Sequence, residues 1–217
     1  MDVNLKVLDL SHHNCGPSGD PDNEIDFAAL YAYGVRGIIH KATQGIGNVD
    51  HKYDERREQA TAAGMLWGAY HFATGDDVDA QVKHFIETAK PDSNTLMALD
   101  HEPNGGNQLD LLGAQAFLES LSQQIGRKAV IYSGNLIKEQ TSADDHLNDF
   151  FAQYRLWLCQ YGPTARLPDP WDNYWLWQFA GDGTGSRDFN PPGLYRGNKT
   201  DMNTFAGSDA ELAAGWA

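Results

Sequence analysis

The chain is short of cysteine, of basic residues and of long apolar runs, and each shortage removes a class of protein. Two cysteines in 217 residues, Cys15 and Cys159, cannot build the framework that staples small secreted folds. Whether they form one bridge or stay as thiols is open at this level. No window approaches about 18 uninterrupted apolar residues, so no membrane-crossing helix is predicted. Sixteen Lys plus Arg face thirty Asp plus Glu, a formal charge of −14 that repels phosphate backbones and anionic headgroups. Neither nucleic acid nor a membrane is expected as a partner. The opening Met1-Asp2-Val3-Asn4-Leu5-Lys6 has no basic stretch followed by an apolar one, so no export signal is read there.

What is present is a regular alternation of strand and helix patterns. Short apolar runs at Lys6 to Leu10, Gly37 to Ala42, Leu66 to Phe72, Leu96 to Leu99 and Ala129 to Ser133 read as strands. Between them, helical spacing covers Phe27 to Tyr33, Lys52 to Ala63, Val78 to Ala89 and Leu109 to Ile125, with Asp26 as a cap and Gly34, Gly64 and Gly126 as stops. After Ser133 the pattern changes. Leu156 to Tyr161 and Tyr174 to Phe179 are aromatic-rich strands with too little chain between them for a full helix, and Thr200 to Asn203 follows a Gly-rich loop. Ser208 then caps a closing helix over Asp209 to Trp216. Such alternation implies an α/β fold with a largely parallel sheet, and eight strand candidates suffice to close a TIM-like barrel. An open doubly wound sheet is the alternative. One domain over residues 1–217 is expected.

The strand at Leu96 ends in Leu99-Asp100-His101-Glu102-Pro103. Side chains alternate along a strand, so Asp100 and Glu102 share a side, with Cα atoms about 6–7 Å apart, and His101 faces the other way. Pro103 has no N–H for a ladder and ends the element. Asp9, Tyr70, His71, Tyr132, Tyr161, Gln178 and Asp201 also fall at or just past the ends of strands in this reading, the face where barrel enzymes keep their site. Four acids crowded at one mouth, Asp9, Asp100, Glu102 and Asp201, raise at least one carboxyl pKa and leave a proton donor near neutral pH. Glycoside hydrolysis needs that arrangement. Trp157, Trp175, Trp177, Tyr161 and Tyr174 suit stacking against sugar rings, although each equally suits core packing. Two other chemistries compete. Asp9 with His12 and His13, and Asp100-His101-Glu102 with His71, offer donors for a metal-dependent polysaccharide hydrolase or deacetylase, without the His-x-His or His-Glu-x-x-His spacing that marks strong sites. A glycan-binding protein with a weak site is the third reading.

The chain resembles the glycoside hydrolase family 25 lysozymes, the Chalaropsis-type muramidases, from about Val7 to Asn203. The resemblance is carried in order by Val7-Leu8-Asp9-Leu10-Ser11, Asp26-Phe27 leading to Gly34-Val35, His40-Lys41-Ala42-Thr43-Gln44-Gly45, Gly68-Ala69-Tyr70-His71-Phe72, Leu99-Asp100-His101-Glu102, Tyr132-Ser133, Leu156 to Tyr161, Trp175 to Phe179 and Asp201-Met202-Asn203. It implies a modified barrel of five βα units followed by three helix-poor strands. It also implies cleavage of the β-1,4 bond between N-acetylmuramic acid and N-acetylglucosamine in peptidoglycan, without cofactor or metal. Glu102 is then the general acid, Asp100 its partner at the 2-acetamido group, and Asp9 and Asp201 the remaining acids. Lys41, Tyr70, His71, Tyr132, Tyr161, Trp177 and Gln178 are the implied substrate contacts. Peptidoglycan glycan strands are the expected partner, and the chain is expected to be a monomer. Cytoplasmic synthesis with endolysin-like release to the cell wall is expected, or secretion if a leader precedes Met1. Two positions depart from the family pattern: Gln44 stands where Glu is usual, and Asn14 where Gln is common.

Overall fold

The computed structural model describes residues 4–14, 25–181, 184, 191–194 and 200–217. Nine strands form one sheet: β1 (Leu5–Leu10), β2 (Gly37–Gln44), β3 (Asn48–Val49), β4 (Leu66–Phe72), β5 (Leu96–Asp100), β6 (Val130–Ser133), β7 (Arg155–Cys159), β8 (Leu176–Ala180) and β9 (Asp201–Thr204). Their order is β1-β9-β8-β7-β6-β5-β4-β2-β3, and a further β1–β2 pairing closes eight of them into a barrel, with β3 as a hairpin partner outside the ring. Every neighbouring pair from β1 through β2 and β4 to β8 is parallel. Within the ring β9 runs the other way, against both β8 and β1, and outside it the hairpin strand β3 is antiparallel to β2. The barrel is therefore closed and α/β, as expected of a modified TIM-like barrel, and the antiparallel β9 makes it mixed, which the sequence pattern did not indicate.

The helices are α1 (Phe27–Tyr33), α2 (Tyr53–Ala62), α3 (Val78–Ala89), α4 (Leu111–Ile125), α5 (Asn135–Ala143), α6 (Asn148–Phe151) and α7 (Asp209–Ala214). Their starts follow side-chain chemistry. Asp26, Asp77 and Asp110 each accept an N–H from the first turn, and Ser208 with Glu211 makes a reciprocal capping box. Asp110 sets the start of α4 at Leu111, two residues later than the apolar spacing suggests. The sequence pattern also passes over α5 and α6, and it ends β2 two residues early, because Thr43 and Gln44 pair with the small hairpin strand β3. Among the described residues, no helix is long and apolar enough to cross a membrane.

Two apolar layers follow from strand alternation. Val7, Ile39, Leu96, Ala98, Val130, Tyr132, Trp157 and Leu176 point into the barrel, while their neighbours Leu8, Ile38, Met97, Leu99, Ile131, Leu156, Leu158 and Trp177 pack against the helices. The bottom of the barrel is stoppered by Trp216, whose Nε1 donates to Trp67 O at 2.7 Å. Its ring lies where a Cβ on Gly37 would come within 2.5 Å, so only glycine fits at the start of β2. That inward turn also explains why α7 stops at Ala214 rather than running on to Trp216. With the bottom filled by side chains, the open end is the C-terminal mouth of the parallel strands.

Candidate active site

At that mouth a cavity of about 270 Å³ is lined by Asp9 from β1 and Ser11 just past it, Lys41 from β2, Tyr70 and Phe72 from β4, Asp100 at the end of β5 and Glu102 just past it, Tyr132, Trp157, Gln178 and Asp201 from the next four strands, and His13 and Tyr161 from the connections. The four acids singled out in the sequence thus share one cavity, with Lys41, Tyr70, Tyr132, Tyr161 and Gln178. Glu102 and Tyr161 also border an adjoining cavity of about 360 Å³ formed with Pro103, Gly134, Asn135, Cys159 and Gln160. The depression therefore continues past the acids.

Two expected contacts lie elsewhere. His71 is fully buried on the outer side of β4, bonded to Thr43 Oγ1 (2.7 Å) and Gln81 Oε1 (3.1 Å) and stacked on Phe117. Burial lowers its pKa to about 4. Trp177 is likewise on the outer side of β8, its Nε1 donating to Gln160 O at 2.7 Å. Both corrections come from parity: Tyr70 and Gln178 face in, so the adjacent residue faces out. Tyr174 packs on Trp177, and Trp175 sits beside Trp216 at the opposite end of the barrel, so neither lines the cavity. The same rule would have found Ser11 from Asp9 and Phe72 from Tyr70, which the sequence reading left out. His101 faces outward as expected and bonds Gln140 Oε1 at 2.7 Å. Since His71 and His101 are behind the sheet, they do not join Asp100 and Glu102 as donors for a metal-dependent hydrolase; of the other set envisaged, His13 lines the cavity with Asp9, whereas His12 is bonded to Asp50.

Asp9 is fixed by amides. Gln178 Nε2 lies 3.0 and 3.1 Å from its two oxygens, and Asn203 Nδ2 donates to Oδ2 at 2.7 Å. Asn203 is held in turn by Trp157 Nε1 at 2.6 Å, and Gln178 Oε1 accepts from Tyr132 Oη and Cys159 Sγ. Cys159 is a free thiol whose pKa burial pushes up to about 12, so it serves here as a donor; Cys15 lies outside the described residues. Gly181 admits Asp201, because a Cβ there would overlap Asp201 Oδ1 and the Tyr161 hydroxyl.

Asp100 has a different setting. It is buried, and Oδ1 has no hydrogen-bond partner. Burial first, then the charges of Glu102, Asp9 and Asp201, raise its pKa well above the ordinary carboxyl value against the opposing pull of Lys41. Lys41 Nζ donates to Gln44 Oε1 at 2.6 Å and lies 4.8 Å from the Phe72 ring centre. Burial lowers its pKa in spite of the nearby carboxylates. The arrangement can hold a proton on a carboxyl group in a dry, aromatic-walled space next to other carboxylates.

The sequence pattern of glycosyl hydrolases family 25 matches residues 9–186. An autolytic lysozyme of Clostridium acetobutylicum is 26% identical over 201 residues, which are 88% of this chain and 59% of that protein. The chain thus spans less than two thirds of that relative's length. A muramidase from Trichobolus zukalii, 25% identical, superposes with a TM-score of 0.78 over 97% of this chain and 98% of its own. The fold is shared as well with the bacterial lysozyme from Streptomyces coelicolor, at a TM-score of 0.80 over 99% and 97% of the two chains and 23% identity. With most of its length matched and its barrel reproduced in these proteins, the chain belongs to glycosyl hydrolases family 25.

Proposed function

We propose that this chain is a muramidase acting at the cell wall, hydrolysing the β-1,4 bond between N-acetylmuramic acid and N-acetylglucosamine. The observation that supports it most is that Asp100 and Glu102 occupy consecutive inward positions at the end of β5, in an aromatic-walled cavity that Asp9 and Asp201 also line. The similar lysozyme and muramidase make peptidoglycan the natural substrate to test.

In this reading Glu102 protonates the leaving oxygen as the glycosidic bond breaks. The carbonyl oxygen of the 2-acetamido group attacks the anomeric carbon from the other face and forms an oxazolinium ring. Glu102, now a carboxylate, takes a proton from water as that water opens the ring, so configuration is retained. Asp100 accepts the acetamido N–H, whose positive charge grows as the ring forms. A carboxylate with high proton affinity gains most from such a neighbour, and its dry setting strengthens the interaction. Asp9, held by two amides, and Asp201 complete the negative lining opposite a cationic transition state.

The test is turbidity loss and reducing-end release on purified peptidoglycan, wild type beside Glu102→Gln, with and without EDTA. Expected are chelator-resistant activity, a loss of at least ~10²–10⁴-fold in the variant, and fragments with muramic acid at the reducing end. Activity that EDTA abolishes, or N-acetylglucosamine at the new ends, would overturn the reading.

A further inference from the structure

We propose that His12, Asp50 and His51 form a binding site for a zinc-class divalent cation on the rim of the cavity, apart from the reacting acids. One donor atom from each residue lies within 4.8 Å of the other two. Tetrahedral zinc holds nitrogen and oxygen ligands at about 2.0–2.2 Å, which places ligands roughly 3.3–3.6 Å from each other. The remaining gap is small enough for a side-chain rotation, and His51, the exposed member, has the freedom to make it.

The other two donors are already in place. The Asp50 side chain is fully shielded from solvent; Lys52 N donates to Oδ1 at 3.0 Å and His12 N to Oδ2 at 2.9 Å. His12 Nδ1 lies 2.9 Å from the same Oδ2, which brings an imidazole nitrogen and a carboxylate oxygen together as two ligands of one cation require. Around this carboxylate the His12 ring has its centre 5.1 Å from His51 and 3.9 Å from His13. Imidazoles favour zinc, copper and nickel, whereas magnesium and calcium prefer all-oxygen sites, so the donor set selects the former class.

The site has a consequence for the cleft. His12 belongs to the short 3-10 turn after β1, and Asp50 and His51 precede α2, so a bound cation ties these two segments together. The same turn presents Ser11 and His13 to the cavity. The cation would stiffen one wall while supplying no group to the reaction.

The experiment strips the protein with EDTA, removes the chelator, and titrates zinc chloride by calorimetry and thermal denaturation. One ion per chain at micromolar zinc is expected, with the melting midpoint raised by about 5 °C. His51→Ala should weaken binding by at least ~10-fold while leaving the zinc-free midpoint unchanged, and His51→Gln is the second variant if that one is unstable. His146→Ala, at an exposed histidine on the α5–α6 connection, should bind as wild type does. Magnesium should give no response. Absence of zinc binding, undiminished binding in both His51 variants, or loss of binding in the His146 variant would each overturn the proposal. None of these readouts depends on hydrolytic activity, so the site and the muramidase reading fail separately.

Discussion

Gln178 Nε2 reaches both oxygens of Asp9, at 3.0 and 3.1 Å, so a side chain of β8 fixes a carboxylate of β1 across the intervening strand β9. Tyr132 and Cys159 donate to the same residue's carbonyl, which orients its amide N–H groups toward Asp9 and not away from it. Gln178→Leu keeps the bulk and removes both polar ends. Asp9 then keeps the Asn203 contact alone among these amides, and a misplacement of order 1 Å costs about 10²-fold in turnover. The expected result is a kcat lower by roughly 10–100-fold with KM little changed, and about 1–3 kcal/mol of stability lost for the orphaned donors. Steady-state kinetics with a denaturant midpoint checks both; wild-type kcat in a folded variant would show that the clamp on Asp9 does not serve catalysis.

At the other end of the barrel, Gly37 and Trp216 predict a change of stability without one of chemistry. The Trp216 ring is buried, bonded through Nε1, and occupies the space of a Cβ at position 37. Gly37→Ala must push the indole or bend β2, an overpacking cost of about 1–3 kcal/mol, or roughly 2–4 °C of midpoint per kcal/mol. Gly47→Ala is the control, because nothing lies within 4 Å of a Cβ there. A midpoint for Gly37→Ala equal to that of Gly47→Ala would mean that the stopper is looser than its packing indicates.

The two ends of the barrel differ in how far they could be read from sequence. Period-two alternation and helix caps are local signals, so the strands of the barrel, though not the two-residue hairpin strand β3, were legible, as were the caps at Asp26 and Ser208 and the inward pair Asp100/Glu102. Applied residue by residue, the same alternation sends His71 and Trp177 outward, but proximity to a strand end masked it, because both stand beside inward residues at the mouth. Trp175 and Trp157 look alike in sequence. Only closure of the barrel decides that one reaches the cavity and the other packs beside Trp216 at the bottom. The amide clamp on Asp9 was illegible for a related reason: Gln178 and Asn203 are 169 and 194 residues away from it, brought near by a ladder in which β9 runs antiparallel.

Lys41 sets the charge balance around Asp100. Its ammonium opposes the rise in the Asp100 pKa, and Gln44 and Phe72 hold it in place. Lys41→Met removes that pull, so Asp100 keeps its proton to higher pH. In the proposed mechanism the ionised form accepts the acetamido N–H, so the acid limb of the kcat/KM profile should move to higher pH. Gln44→Glu, which adds a carboxylate beside the ammonium, should move it the same way by less. An acid limb unmoved in Lys41→Met would separate Asp100 from the ionisation that controls activity.

Asp100 itself should lower stability at neutral pH. Its folded-state pKa lies well above 3.8, the ordinary value it regains on unfolding. The sign follows from proton counting. Below pH 3.8 both states hold the proton and the carboxyl does not weaken the fold. As pH rises toward and through the folded pKa, the unfolded state gives up its proton more readily, and stability is lost. Asp100→Asn cannot ionise and escapes that loss. The variant should be nearly inactive, because its amide nitrogen cannot accept the N–H and its carbonyl does so without charge. It should nonetheless melt higher than wild type at pH 7, by about 1–3 kcal/mol if the cost matches that of a buried group lacking its partner. The difference should shrink toward zero below pH 4. Paired melting curves at pH 3.5 and pH 7 decide the matter: equal midpoints at pH 7 would mean that the site stabilises an Asp100 carboxylate as well as water does, and the high proton affinity assigned to it would be wrong.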